Sequence, residues 1–159
     1  MINFYKLKNK DILIETLSVE IQTRSDWFES NGFQILKLPL TLFVGHRLFP
    51  LISKFNGSPL IFKLNPMTWY DWHTDEIRQC AINMLIEGTD SKTFFGNRLS
   101  RDIVELTEIV YDPLCYYLIN TQQKHAVLNL NNTRYMLSIG FKKPNTFEDI
   151  LEFCKDNSL

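Results

Sequence analysis

The chain is poor in cysteine, in basic runs and in long apolar stretches. Its three cysteines, Cys80, Cys115 and Cys154, are odd in number and widely spaced, with no Cys-x-x-Cys pair. They read as reduced, buried thiols of a cytosolic protein rather than a disulfide framework. Net charge is −1 and no basic run exceeds two or three residues. That argues against a dedicated nucleic-acid surface, whose affinity rests on clustered Lys and Arg. The most apolar region, from Ile35 to Ile52, is broken by Lys37, Pro39, Gly45, Arg47 and Pro50, so it does not read as a bilayer span. Met1 to Lys6 has neither the charged start nor the apolar stretch of a leader, and the expected location is cytoplasmic. Internal repeats, low-complexity tracts and linkers are also missing.

The rest of the composition is that of an ordinary globular protein. Of the 159 residues 45% are hydrophobic and 22% charged, enough apolar material to bury about two thirds of the unfolded surface in one domain. Aromatic residues make up 13%, twelve of them Phe, which suits strands packed under helices or a shaped pocket.

Periodicity divides the expected single domain 1–159 into three parts. In residues 1–57, Ile12–Ile14 and Leu17–Thr23 are strand-like, Val19 and Ile21 alternating with Glu20 and Gln22. Ser25 reads as the N-cap of a short helical turn through Glu29, Phe33–Leu38 as a strand, and Thr41–Phe55 as a helix. Residues 58–142 are strand after strand: Leu60–Leu64, Thr68–Trp72, Ile77–Ile86, Thr93–Gly96, Ile103–Tyr111, Cys115–Ile119, His125–Leu130 and Thr133–Phe141. Asp112-Pro113 and Asn131-Asn132 are the clearest turns. Eight short strands predict a sandwich or barrel rather than a parallel sheet. Over 146–157, Thr146 starts an amphipathic helix with Phe147, Ile150, Leu151 and Cys154 on one face. The fold class expected is therefore mainly β with flanking helices.

The chemistry concentrates in His73-Thr74-Asp75, followed 50 residues after Asp75 by His125 and nine residues later by Arg134. Two imidazoles and one carboxylate bind iron(II) by one face and leave positions open for other ligands; zinc accepts the same set. His73 and Asp75 are two apart, so on an extended segment both project to one side, and the third ligand must arrive from a partner strand. In Thr133–Phe141, Tyr135, Leu137, Ile139 and Phe141 form an apolar face, whereas Arg134, Met136, Ser138 and Gly140 form one that lines something. If His125–Leu130 and Thr133–Phe141 are neighbouring strands, His125 and Arg134 point into one cavity. Gln79, Ala81 and Asn83 share the parity of His73 and Asp75; Cys80, Ile82 and Met84 face away. Plainer readings exist for each. His125 could be satisfied by a backbone carbonyl, Arg134 could pair with Glu105 or Glu108, and Trp69, Tyr70 and Trp72 could be core or a substrate wall. His46 is assigned no role.

His-x-Asp after a strand, a distal His with an Asn four residues on, and an Arg in the next strand resemble the 2-oxoglutarate- and iron(II)-dependent oxygenases. Trp72-His73-Thr74-Asp75-Glu76-Ile77-Arg78 and His125-Ala126-Val127-Leu128-Asn129…Arg134 carry the likeness, which covers about Pro59–Phe141. It implies a double-stranded β-helix, jelly-roll or cupin-like, of eight strands with helices on one sheet. It implies iron(II) on His73, Asp75 and His125, and the distal carboxylate of 2-oxoglutarate on Arg134, for which a guanidinium is apt because it donates two parallel hydrogen bonds. Arg78 is the rival cosubstrate partner, by analogy with the aspartyl/asparaginyl hydroxylase branch, and Asn83 is a further candidate in the pocket. Asp75, where halogenating relatives carry a small residue, points to hydroxylation. The expected reactants are 2-oxoglutarate, O2 and a peptide, protein side chain or metabolite. Met136, two after Arg134, departs from the Arg-x-Ser of some members. A cupin-like metal- or ligand-binding protein, or a structural protein on the same fold, is the alternative from a different class.

Overall fold

The computed structural model describes residues 2–10, 13–98, 104–112 and 114–159. Ile12, Ile103 and Pro113, placed by sequence in two strands and a turn, lie outside the described residues. Eleven strands are found among those described: β1 (Phe4–Lys10), β2 (Phe28–Ser30), β3 (Phe33–Lys37), β4 (Ser58–Leu64), β5 (Thr68–His73), β6 (Arg78–Glu87), β7 (Lys92–Arg98), β8 (Val104–Ile109), β9 (Cys115–Ile119), β10 (His125–Asn129) and β11 (Arg134–Lys142). The helices are α1 (Ile14–Thr23), α2 (Phe49–Lys54) and α3 (Phe147–Asp156).

From β4 onward the strands distribute between two antiparallel sheets. The larger runs β1-β9-β6-β11-β4-β3-β2 and the smaller β5-β10-β7-β8. Strands β4, β6, β9 and β11 thus oppose β5, β7, β8 and β10, which is a double-stranded β-helix, enlarged by β1 on one edge and the β2–β3 hairpin on the other.

Alternation along the large sheet decides which side chains meet the helices and which meet the cavity. Tyr135, Leu137, Ile139 and Phe141 of β11, with Cys80, Ile82 and Met84 of β6, join Leu17 of α1, Leu51 and Ile52 of α2 and Ile150 of α3 in the main core. Met136, Ser138 and Gly140 turn the other way and line the space between the sheets, as do Ala81 and Asn83. In register, Ser138 lies opposite Asn83 and Gly140 opposite Ala81, so one face of the β6–β11 pair is a continuous cavity floor. All three cysteines are free and buried, and burial pushes the thiols of Cys80 and Cys154 up to about 12. No helix among the described residues is long and apolar enough to cross a membrane.

Helix α3 follows its sequence signals. Thr146 accepts from the Asp149 amide, the Asp149 side chain accepts from the Thr146 amide, and Phe147, Ile150, Leu151 and Cys154 are buried. Thr146→Ala is expected to cost about 1 kcal/mol, read as a lower midpoint in urea unfolding with an unchanged slope.

The N-terminal part departs from expectation in four places. Of the strand expected over Ile12–Ile14, Leu13 has helical dihedrals and Ile14 opens α1. Leu17–Thr23 is helical, not strand: Leu17 is buried while Val19 is 55% exposed, so the Val19/Ile21 alternation has no sheet face to match, and Leu17 and Ile21 pack on the core at helical spacing. Ser25 starts no helical turn. Phe28–Ser30 is a strand paired to Phe33–Ile35, closed by Asn31 and Gly32 at φ of +51° and +81°, the dihedrals of a tight hairpin turn. Thr41–Phe55 is not one helix: a 3-10 turn over Leu40–Phe43 stops before Gly45 at φ +84°, and α2 restarts with Pro50 in its first turn, where no amide donor is needed.

Candidate metal centre and its cavity

The small sheet brings the two histidines together. His73 ends β5 and His125 begins β10, and the two are register partners. From there to the Tyr70–Val127 pair the register shifts, three residues of β5 spanning two of β10, so that Tyr70 and His73 both line the cavity despite their odd spacing. Asp71 closes this irregularity: its carboxylate accepts from the Trp72 amide at 2.7 Å and the Trp69 indole at 3.2 Å.

Each imidazole is oriented through its Nδ1. That of His73 lies 2.6 Å from the Asp71 carbonyl, and that of His125 lies 2.9 Å from the Gln123 carbonyl. A carbonyl only accepts, so Nδ1 carries the hydrogen in both rings, and in the neutral tautomer this sets, Nε2 is the nitrogen available to a metal. The backbone-carbonyl reading of His125 and the ligand reading are therefore one arrangement. Burial pushes the pKa of His125 down, against the opposing pull of the Gln123 carbonyl, which favours the neutral, ligating form. The ring centroids stand 4.1 Å apart.

Asp75 completes the cluster from beyond the strand, because β5 ends at His73. The two-apart geometry on a continuous strand is thus not what places it. Its amide donates to the Thr121 carbonyl at 3.0 Å, and the Gln122 side chain donates to the carbonyls of Asp75 and Arg78, both at 2.8 Å. The Asp75 carboxylate is divided: Oδ1 faces His73 Nε2 at 3.6 Å, and Oδ2 pairs with Arg78 at 2.7 Å. Donor atoms of His73, Asp75 and His125 all lie within 4.8 Å of one another, close enough to share one ion.

Arg134 reaches the same cavity from the other sheet. Strands β10 and β11 are not neighbours, as the sequence allowed; they belong to different sheets, and His125 and Arg134 meet across the space between them. Arg134 is 5% exposed. Its Nη2 donates to Thr93 Oγ1 at 3.1 Å and its guanidinium lies 5.8 Å from the centre of the Tyr111 ring. Nε and Nη1 are buried without a hydrogen-bond partner. The plainer alternative, an ion pair to Glu105 or Glu108, does not form; Glu108 pairs with Lys92 at 2.7 Å. Burial pushes the pKa of Arg134 down, Tyr111 opposing. A buried guanidinium with two idle donors and no carboxylate beside it among the described residues is suited to hold an anion.

The cavity has a volume of about 970 Å³ and is lined by all six residues singled out from sequence: His73, Asp75, Arg78, Asn83, His125 and Arg134. Asn83 Oδ1 is buried there without a partner. Gln79 does not line it. Tyr70 forms part of the wall, whereas Trp69 is 46% exposed and Trp72 packs on Gly96. Asn129 serves structure: its amide donates to the carbonyls of Leu64, Asn65 and Asn132. Thr93, Tyr111, Thr121 and Gln122 had no signal in the sequence, because each matters only through a contact across sheets or between loops.

By sequence, no protein-family model and no curated protein matches the chain. By structure, it is similar to a prolyl-4-hydroxylase of Pseudomonas putida, with a TM-score of 0.65 and 12% identity over 90% of this chain and 94% of that one. The two share the double-stranded β-helix. The chain is also similar to HygX from Streptomyces hygroscopicus, solved with nickel, 2-oxoglutarate and hygromycin B bound (TM-score 0.62, 10% identity, 91% and 84% covered). Vicilin from Capsicum annuum shares the fold more distantly, with a TM-score of 0.52 and 12% identity over 79% of this chain and 32% of that one.

Proposed function

We propose that the protein is a non-haem iron(II)- and 2-oxoglutarate-dependent oxygenase, hydroxylating an unactivated C–H bond of a peptide or protein side chain or of a small metabolite. One observation carries the reading: a His-Asp-His cluster and an unpaired, buried guanidinium share one cavity. The donor set fits iron(II), and the idle donors of Arg134 fit the distal carboxylate of 2-oxoglutarate. HygX, with nickel and 2-oxoglutarate bound on the same fold, supports this use of such a cavity.

The residues divide the work. His73 and His125 would hold the ion through Nε2, each ring oriented by a hydrogen bond from Nδ1 to a carbonyl. Asp75 would offer a carboxylate oxygen to the ion, and Arg78, paired with Oδ2, orients the carboxylate. Arg134 binds and orients the cosubstrate, and Thr93 fixes the guanidinium against rotation. Arg134 is buried, so its charge is screened less than that of a surface arginine. Iron(II) with 2-oxoglutarate and O2 supplies the oxidation, yielding succinate, CO2 and an alcohol.

A second reading, a cupin-like metal- or ligand-binding protein without oxygenase activity, draws on the likeness to vicilin. Calorimetry separates the two. Metal-free protein titrated with nickel(II) and then with 2-oxoglutarate is expected to bind both, the second only after the first. Uptake of nickel(II) with no uptake of 2-oxoglutarate supports the binding protein instead.

A further inference from the structure

Arg78 is built into the cavity with more care than an ion pair to Asp75 requires. Its stem crosses Gly140, where a Cβ would stand 2.7 Å from Arg78 Cδ. Its guanidinium rests 5.3 Å from the centre of the Phe62 ring and donates to Ser138 Oγ at 3.3 Å. Glycine below, a ring beside and a hydroxyl at one end form a seat that fixes the group while leaving 28% of the side chain exposed to the cavity. Asp75 Oδ2 pairs with Nη2 and Ser138 Oγ accepts from Nη1, and a guanidinium with five N–H donors has others to offer a second carboxylate.

The charge of the whole cavity points the same way. Four cations line it (Lys37, Arg78, Arg134, Lys142) against two carboxylates, Asp75 and Glu76. An iron(II) ion and a dianionic cosubstrate cancel each other, so the loaded cavity keeps an excess of two positive charges. Arg134 is taken by the cosubstrate, and Lys37 and Lys142 are exposed at the rim. Arg78 is the cation left beside the metal cluster. Next to it runs an aromatic wall: Phe33 meets Tyr70 at 4.6 Å and Phe62 at 5.2 Å between ring centres, and Tyr70 meets His73 at 4.3 Å. Two apolar side chains that also line the cavity, Leu40 and Ile77, are 50% and 63% exposed.

We infer that Arg78 determines specificity by receiving a carboxylate of the substrate, carried on an apolar body that lies against Phe33, Phe62 and Tyr70. This rests on the oxygenase reading above and adds the class of substrate to it. A guanidinium already fixed by ring and hydroxyl loses little side-chain entropy on taking a second carboxylate, and the charge-assisted bond is strong where water is partly excluded.

The test uses protein loaded with nickel(II) and saturating 2-oxoglutarate, so that Arg134 is occupied. 3-Phenylpropionate and its neutral amide are titrated in turn at millimolar concentration, with binding followed by ligand-observed NMR. The acid is expected to bind at least about tenfold more tightly than the amide. Arg78→Gln is expected to abolish the difference, and so is Gly140→Ala, which displaces the Arg78 stem without removing its charge. Equal binding of acid and amide, binding of neither, or a preference that survives both substitutions overturns the assignment. Loading is read separately: failure to take up 2-oxoglutarate overturns the functional reading and this assignment with it, whereas normal loading without an acid preference overturns the role of Arg78 alone.

Discussion

Arg134→Met is expected to stabilise the metal-free protein while removing most of its affinity for 2-oxoglutarate. The guanidinium is buried and two of its donors have no partner, so the folded chain carries a largely desolvated charge that the unfolded chain does not. Met keeps much of the stem volume and needs no partner. Replacing buried ionic groups by apolar ones of similar size stabilises by about 1–4 kcal/mol in favourable cases, which in a chain of this length is several degrees in Tm. The same change removes one partner of a desolvated charge pair from the loaded protein, at a cost of about 2–5 kcal/mol, or at least about thirtyfold in Kd. Thermal unfolding without ligands and calorimetry with 2-oxoglutarate read the two effects independently. If Arg134 were an ordinary structural residue, both signs would fail: the variant would be less stable, and cosubstrate binding would not change.

His125→Ala is expected to lower metal affinity by more than about 100-fold, since loss of a partner that merely orients a ligand already costs about 10–100-fold. His125 is buried opposite His73, with its Nδ1 committed to Gln123; among the described residues the cluster has no fourth His, Cys, Asp or Glu to replace its Nε2. Nickel(II) titration of both proteins gives the ratio. An affinity within a few-fold of wild type would place the ion elsewhere.

The strands from β4 to β11 were legible because alternation and β-branched or aromatic content coincide there with real faces: Tyr135, Leu137, Ile139 and Phe141 do pack under helices. Helix α3 was legible for the same reason, with its cap spelled out by Thr146 and Asp149. Leu17–Thr23 misled because four residues that alternate by type also fit a helix; burial of Leu17 and exposure of Val19 decide it, and neither is local information. The β2–β3 hairpin had a local signal in Asn31-Gly32, but its first strand is only three residues long. Strand β1 carried no segment boundary of its own and exists by pairing with β9. In the site, His73, Asp75 and His125 were legible as residue types in a spacing. What holds Asp75, the amide bond to Thr121 and the Gln122 side chain, was not, because those contacts span more than 40 residues. Nor was the choice between Arg78 and Arg134. Arg134 is preferred because its Nε and Nη1 are buried without a hydrogen-bond partner and it meets no carboxylate among the described residues, whereas Arg78 already pairs with Asp75; both are facts of three-dimensional placement.

The central claim is that one ion and one 2-oxoglutarate bind together in this cavity. Anaerobic titration of the metal-free protein with iron(II), then with 2-oxoglutarate, tests it directly through the weak visible charge-transfer band of the iron–cosubstrate chelate. A band that forms only after both additions, and is absent from His73→Ala and His125→Ala, is the predicted result. Iron(II) bound with no band on saturation with 2-oxoglutarate, or a band unaffected by either substitution, would contradict it.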